Sequence, residues 1–204
     1  MSAPLVTYPV NLVLEGKPVL VVGGGRVATG KVRRLVDAGA DVTVVAPEVA
    51  DAIAALDVRV ERRPYERGEV AWYRLVVTAT GTEVDAQVFA DGEAAGVWVN
   101  AADDPAHCSF TLPAVARQGA IQVAVSTGGA SPAMASWLRA RFEDELDEAY
   151  GTLLQLLHEA REALRSTGTP TEGLAWREAL DSGLLDLVRQ GRIVEARERL
   201  QACL

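Results

Sequence analysis

Cysteine is nearly absent from this chain: two of 204 residues, Cys108 and Cys203. Two widely separated cysteines make no disulfide framework, and a reducing, cytoplasmic setting is the expectation. An excess of basic residues is missing too. With 20 Lys and Arg against 28 Asp and Glu, the formal net charge is −8. That excludes a general nucleic-acid binder, which needs a basic face to meet phosphates. No uncharged apolar run approaches the roughly 20 residues needed to cross a bilayer, so no membrane partner is expected. The start, MSAPLVTYPVNLVLEG, has neither the basic region nor the compact apolar stretch of a signal peptide. Repeats and low-complexity tracts are also lacking. What remains is ordinary for a globular protein, 49% hydrophobic and 24% charged. The length suffices for one good-sized domain and an accessory piece.

The most informative stretch is Pro18 to Lys31, PVLVVGGGRVATGK. The apolar run Val19 to Val22 stops at three glycines, and a helical pattern begins at Arg26. Gly23, Gly25 and Ala28 fit G-x-G-x-x-A, the opening of a dinucleotide-binding βαβ unit. Gly23 permits the sharp turn off the strand. Gly25 has no side chain to hold a pyrophosphate away from the backbone. Ala28 lets the helix lie close to the strand. The N–H groups at the helix start, from Arg26 and Val27 onward, would face the phosphates with the helix dipole behind them. Val27, Val32, Leu35 and Val36 are expected on the inward face, and Gly39 ends the helix. The plainer alternative is a glycine turn that only permits tight packing.

Strand and helix then alternate about five times up to residue 100. Val10, Leu12 and Leu14 suggest a short edge strand before the first core strand. Val42 to Val45 is the second strand. Glu48 to Leu56 predicts a short helix and Val58 to Val60 a third strand. Arg59, Arg62, Arg63 and Arg67 read as a solvated loop rim. Leu75 to Val77 is a buried strand that ends in the small residues Thr78, Ala79 and Thr80, where ligands of open parallel sheets bind. A helix over Glu83 to Ala95 and a strand over Val97 to Val99 complete a doubly wound parallel sheet of the Rossmann type.

Beyond it the pattern changes. Asn100 to Ser109, NAADDPAHCS, is a polar loop directly after a strand. Phe110 to Leu112 and Ile121 to Val125 suggest added strands around Arg117-Gln118-Gly119. Ser126 to Pro132, STGGASP, is a second small-residue turn, with Ser131 as N-cap and Pro132 at the first helical position. From Thr152 the chain reads as helical, with a break at Ser166 to Gly173 and two further helices over Leu174 to Leu180 and Leu184 to Leu200. Asp103, His107 and Cys108 crowd one loop, but three unspaced ligands are a weak metal signal. Cys108 reads as a small apolar residue.

Taken in order, VVGGGRVATGK, VTVVAPE, VVTATG, VNAADDP and STGGASP resemble the precorrin-2 dehydrogenase and sirohydrochlorin ferrochelatase family in its stand-alone form. The resemblance runs from about Tyr8 to Arg141. It implies NAD-dependent oxidation of precorrin-2 to sirohydrochlorin, in some members followed by insertion of ferrous iron. It also implies a homodimer and three parts: an NAD-binding domain over 1–112, a dimerisation segment over 113–150 and a small helical domain over 151–204.

In that family an aspartate of the Asn-x-x-Asp segment is the acid/base. Here it maps to Asp103, with Asp104 as the neighbour that could be mistaken for it. Candidate cofactor residues are Gly23, Gly24, Gly25, Arg26, Val27, Pro47, Glu48, Thr78 and Thr80. Candidate substrate residues are Asn100, Thr127, Gly128, Gly129 and Ser131, with Lys31, Arg117, Arg139 and Arg141 as basic groups for the carboxylates. The usual ribose-reading acid should end the second strand. Here that strand ends Ala46-Pro47, with Glu48 next and no arginine immediately after it, which favours NAD over NADP. A non-enzymatic NAD-sensing module is the competing reading, and another small oxidoreductase a third. NAADDP and STGGASP argue against a pure sensor, which has no need of them.

Overall fold

The computed structural model describes residues 5–204. It divides into two compact units. One is Tyr8–Leu112; the other joins the described residues up to Thr7 to Pro113–Leu204.

The first unit is a five-stranded parallel sheet: β1 (Pro18–Val22), β2 (Asp41–Val45), β3 (Arg59–Glu61), β4 (Leu75–Thr78) and β5 (Trp98–Ala101). Its strand order is β3-β2-β1-β4-β5. The chain moves one way from β1 and then returns to its other side, so the switch point lies between β1 and β4. Helices α1 (Arg26–Asp37) and α2 (Asp51–Ala54) follow β1 and β2, and α3 (Val84–Ala95) follows β4.

Strands buried on both faces need near-continuous apolar sequence, and β1, β2 and β4 have it. On one face Val19, Val21, Val42, Val44, Leu75 and Val77 pack with Ala28, Val32 and Leu35 of α1. On the other, Leu20, Val22, Val45, Val76 and Val99 pack with Val88 of α3. Val27, expected inward, is 42% exposed, because Ala28 is the residue that closes the helix onto the strand.

Four local expectations change. Residues 10–14 form no strand; Leu14 packs on the α1-side core instead. Of the lead-in expected over residues 1–16, the first four lie outside the described residues. The helix after β2 is shortened to α2 because Glu48 and Val49 pack over the glycine turn and the Ala50 N–H donates to the Gly24 carbonyl (2.9 Å). Asn100 belongs to β5 rather than to the loop. Phe110 to Leu112 is not a strand: Phe110 packs into the core and its carbonyl accepts from the Asn100 amide (2.9 Å).

In the second unit, β6 (Ala114–Gln118) and β7 (Ile121–Val125) form an antiparallel hairpin. Helix α4 (Pro132–Glu145) follows, and Ala135 is its one residue buried within the chain. Ser131 caps it, accepting from the Met134 N–H (3.1 Å), with Pro132 at its first position. A helical cluster completes the unit: α5 (Glu148–Ser166), α6 (Trp176–Asp181), α7 (Leu184–Arg189) and α8 (Ile193–Cys203). The single helix expected over Leu184 to Leu200 is two, because Gly191 turns left-handed (φ 73°) and ends α7. Leu153, Leu156, Leu184, Leu187 and Leu200 form their shared core. No helix among the described residues is long and apolar enough to cross a membrane.

Candidate functional site

The carboxyl ends of β1, β2, β4 and β5 lie side by side in one sheet, and the loops that leave them carry most of the expected site residues. Val22 is in register with Val45 and with Thr78, and Thr78 with Ala101.

The glycine turn comes first. Gly23 has φ 119°, a backbone that side chains rarely adopt, and its N–H donates to the Val45 carbonyl (2.9 Å). Gly24 is fixed by packing: a methyl there would sit 2.0 Å from the Glu48 carbonyl oxygen. Gly25 is different. A methyl there would meet no atom within 4 Å, so its open face is free for a ligand. Gly25 caps α1 without any side-chain hydrogen bond, and the first intrahelical bond is Thr29 N–H to Gly25 carbonyl (3.0 Å). The N–H groups of Arg26, Val27 and Ala28 therefore have no acceptor one helical turn back. A narrow glycine cradle ahead of unsatisfied N–H groups suits a diphosphate.

Pro47 and Glu48 are exposed in the loop after β2, directly over Gly24. An arginine does reach this loop, from the residue after β3 rather than from the end of β2: the Arg62 guanidinium lies 3.5 Å from the Val49 carbonyl. Two others of the arginine cluster are paired. Arg63 binds Glu69, and Arg67 binds Asp91 (both 2.7 Å).

At the end of β4 the two threonines turn inward. Both hydroxyls donate to Asp85, that of Thr80 at 2.8 Å. Asp85 is a residue that sequence reasoning missed, although Thr82-Glu-Val-Asp85 is a helix-start signature.

The loop after β5 separates its two aspartates. Asp103 is exposed, and it is the one non-glycine residue with positive φ (62°) among those described. No hydrogen bond to its carboxylate occurs among the described residues. Asp104 is engaged at both oxygens, by the Ala106 N–H (3.3 Å) and His107 Nδ1 (2.6 Å). The His107 hydrogen bond holds the Asp104 carboxyl below the usual range. His107 in turn packs edge-on against Phe89 of α3, with centroids 5.5 Å apart.

Asn100, expected at the substrate, is buried, and its amide staples the loop by donating to Cys108 Sγ and the Phe110 carbonyl. Burial pushes the half-buried Cys108 thiol up, away from the reactive thiolate. No group of three or more His, Cys, Asp or Glu among the described residues is arranged to hold a metal ion. Lys31 of α1 is half-buried; burial and Arg34 lower its pKa, while Asp103 and Cys108 oppose the shift.

In the second unit, Thr127 and Ser131 close their own turn. The Thr127 hydroxyl donates to the Ser131 carbonyl and accepts from its N–H (both 3.1 Å). Gly128 and Gly129 are both left-handed (φ 59° and 82°). Arg139 pairs with Glu143, and Arg141 stacks on Trp137 at 5.0 Å.

A family model described as "Putative NAD(P)-binding" matches residues 10–114, over half of the chain, and one described as "Sirohaem biosynthesis protein central" matches residues 118–145. The siroheme synthase of Nitrosococcus oceani is 36% identical over 203 residues, covering 96% of this chain and 43% of that protein. The siroheme synthase of Pseudomonas putida (strain W619) is 37% identical over 196 residues, covering 93% and 42%. The chain therefore spans less than half the length of these curated relatives. The solved structure of SirC, precorrin-2 dehydrogenase, superposes with a TM-score of 0.71 at 28% identity, covering 97% of this chain and 98% of that one. With its glycine cradle, its sheet order and these matches, the chain belongs to the NAD(P)-binding family, in the form that continues into the sirohaem biosynthesis central segment.

Proposed function

We propose that this chain oxidises precorrin-2 to sirohydrochlorin with NAD. The reaction removes a hydride and a proton from a reduced tetrapyrrole; bound NAD supplies the hydride acceptor, so the protein must hold the ring and take the proton. One observation carries the reading. Asp103, turned into the left-handed region with its carboxylate free, leaves the same sheet edge as the glycine turn. Asp104 is tied up as a turn cap and is the weaker candidate. The matches to siroheme synthases and to SirC, precorrin-2 dehydrogenase, support the substrate class.

Insertion of ferrous iron into sirohydrochlorin is the second activity proposed, with iron as substrate and Asp103 taking the pyrrole protons that leave. The test is anaerobic incubation with precorrin-2 and NAD, followed by NADH absorbance and the sirohydrochlorin spectrum. Stoichiometric appearance of both is expected. NAD binding with no spectral change would favour the sensing module instead.

The segment 113–150 is proposed to form a homodimer. Met134, Trp137 and Phe142 on α4 are 53%, 56% and 39% exposed, a run of apolar surface that a monomer has little reason to keep. Light scattering at micromolar concentration should give twice the chain mass, and Trp137→Glu should shift it toward the monomer. A wild-type monomer would count against the dimer.

A further inference from the structure

Asp85 is the least explained group in the first unit. It lies on the first turn of α3, is 4% exposed, and has no lysine or arginine partner among the described residues. Its carboxylate takes four hydrogen bonds. Oδ1 accepts from the Thr78 hydroxyl, the Thr80 N–H (3.1 Å) and the Thr80 hydroxyl (2.8 Å), and Oδ2 accepts from the Gly81 N–H (2.9 Å). Two of these partners are backbone N–H groups that can only donate. Such a set of donors fits a carboxylate that carries its charge.

The Thr78–Gly81 turn that Asp85 holds is central to the sheet edge. Ala79 N–H donates to the Val22 carbonyl (2.8 Å), and a methyl on Gly23 would sit 2.6 Å from the Ala79 carbonyl oxygen. On the other side, the Thr78 carbonyl accepts from the Ala102 N–H (2.8 Å), one residue before Asp103. Because both threonine hydroxyl protons point at Asp85, these side chains offer no donor to a phosphate. Thr80 Oγ1 also accepts from the Thr82 N–H (3.2 Å).

In this topology the adenosine ribose lies toward β2 and the diphosphate at the start of α1. The remaining half of a dinucleotide then falls on the β4 and β5 side. That half is cationic in NAD⁺ and neutral in NADH.

We propose that Asp85 is a positioning residue that fixes this turn as an acceptor surface and biases the site toward the oxidised cofactor through its fixed negative charge. This rests on the reading of the chain as an NAD-dependent enzyme. The carboxylate is shielded from solvent, so its field is screened less than that of a surface charge.

The experiment is calorimetric titration of the full chain with NAD⁺, NADH and ADP-ribose, which lacks the nicotinamide, in wild type and Asp85→Asn. Asp85→Asn should weaken NAD⁺ about five- to tenfold, with NADH and ADP-ribose moving less than about twofold, as expected for one partly screened charge. Equal weakening of all three ligands would reduce Asp85 to a scaffold role and overturn the proposal, as would no change. If Asp85→Asn does not fold, Thr80→Val decides. It removes a donor and leaves the charge, so the preference for NAD⁺ over NADH must persist or widen; its collapse overturns the proposal. A wild-type chain that binds none of the three overturns the parent reading, and this one with it.

Discussion

Asp103→Asn is expected to abolish NADH formation with precorrin-2 while leaving NAD affinity unchanged. The loss should be about 10²- to 10⁴-fold, the range that a positioned general base contributes. Asparagine suits the experiment. It keeps the size and one acceptor, it tolerates the left-handed backbone that Asp103 adopts (φ 62°), and it cannot take a proton near neutral pH. Alanine would mix the loss of the base with backbone strain. Asp104→Asn is the control and should have much the smaller effect, since Asp104 caps a turn and binds His107. If iron insertion occurs, Asp103→Asn should lose both activities together. Single-turnover NADH formation, alongside cobalt or ferrous insertion into sirohydrochlorin, measures both. Near-normal turnover in Asp103→Asn with loss in Asp104→Asn would identify Asp104 as the acid/base. Loss of insertion alone would limit Asp103 to the metal step.

Two neighbouring glycines should give opposite failures. Gly25→Val should eliminate detectable NAD binding in a protein whose melting temperature stays near that of the wild type. Beyond its chain neighbours, no atom lies within 4 Å of the position a Gly25 Cβ would take, so the fold has room for a side chain where a ligand would need the space. Its φ of −85° is open to any residue. Gly24→Ala should instead fail to fold or aggregate. Its methyl would lie 2.0 Å from the Glu48 carbonyl oxygen and 2.8 Å from Val49 Cα, both backbone atoms that no rotamer change can move aside. Circular dichroism and NAD titration of both variants separate the two. A stable Gly24→Ala that binds NAD would show that the loop after β2 is free to move, and a Gly25→Val that binds NAD normally would displace the diphosphate from this turn.

Local sequence was sufficient wherever the signal was local. The run Val19 to Val22 against three glycines, the helix from Arg26, the buried run from Leu75 and the Ser131-Pro132 helix start each depend on neighbours in the chain, and each appears in the structure. Alternation of strand and helix was enough for the parallel, doubly wound class, because parallel strands need crossovers. Where a partner decides the outcome, the same logic failed. Val10 to Leu14 alternates like a strand but pairs with none, and Leu14 packs on the α1-side core instead. Glu48 to Leu56 has a helical pattern, yet its first residues are held against Gly24.

The site divides in the same way. Backbone requirements are written in residue type, so the turn at Gly23 could be read directly. Hydrogen-bond ownership is not, because it depends on which groups the folded loop brings within about 3 Å of one another. Only the tertiary structure freed Asp103 while engaging Asp104, turned Asn100 from a loop residue into a buried staple, and directed the hydroxyls of Thr78 and Thr80 onto Asp85.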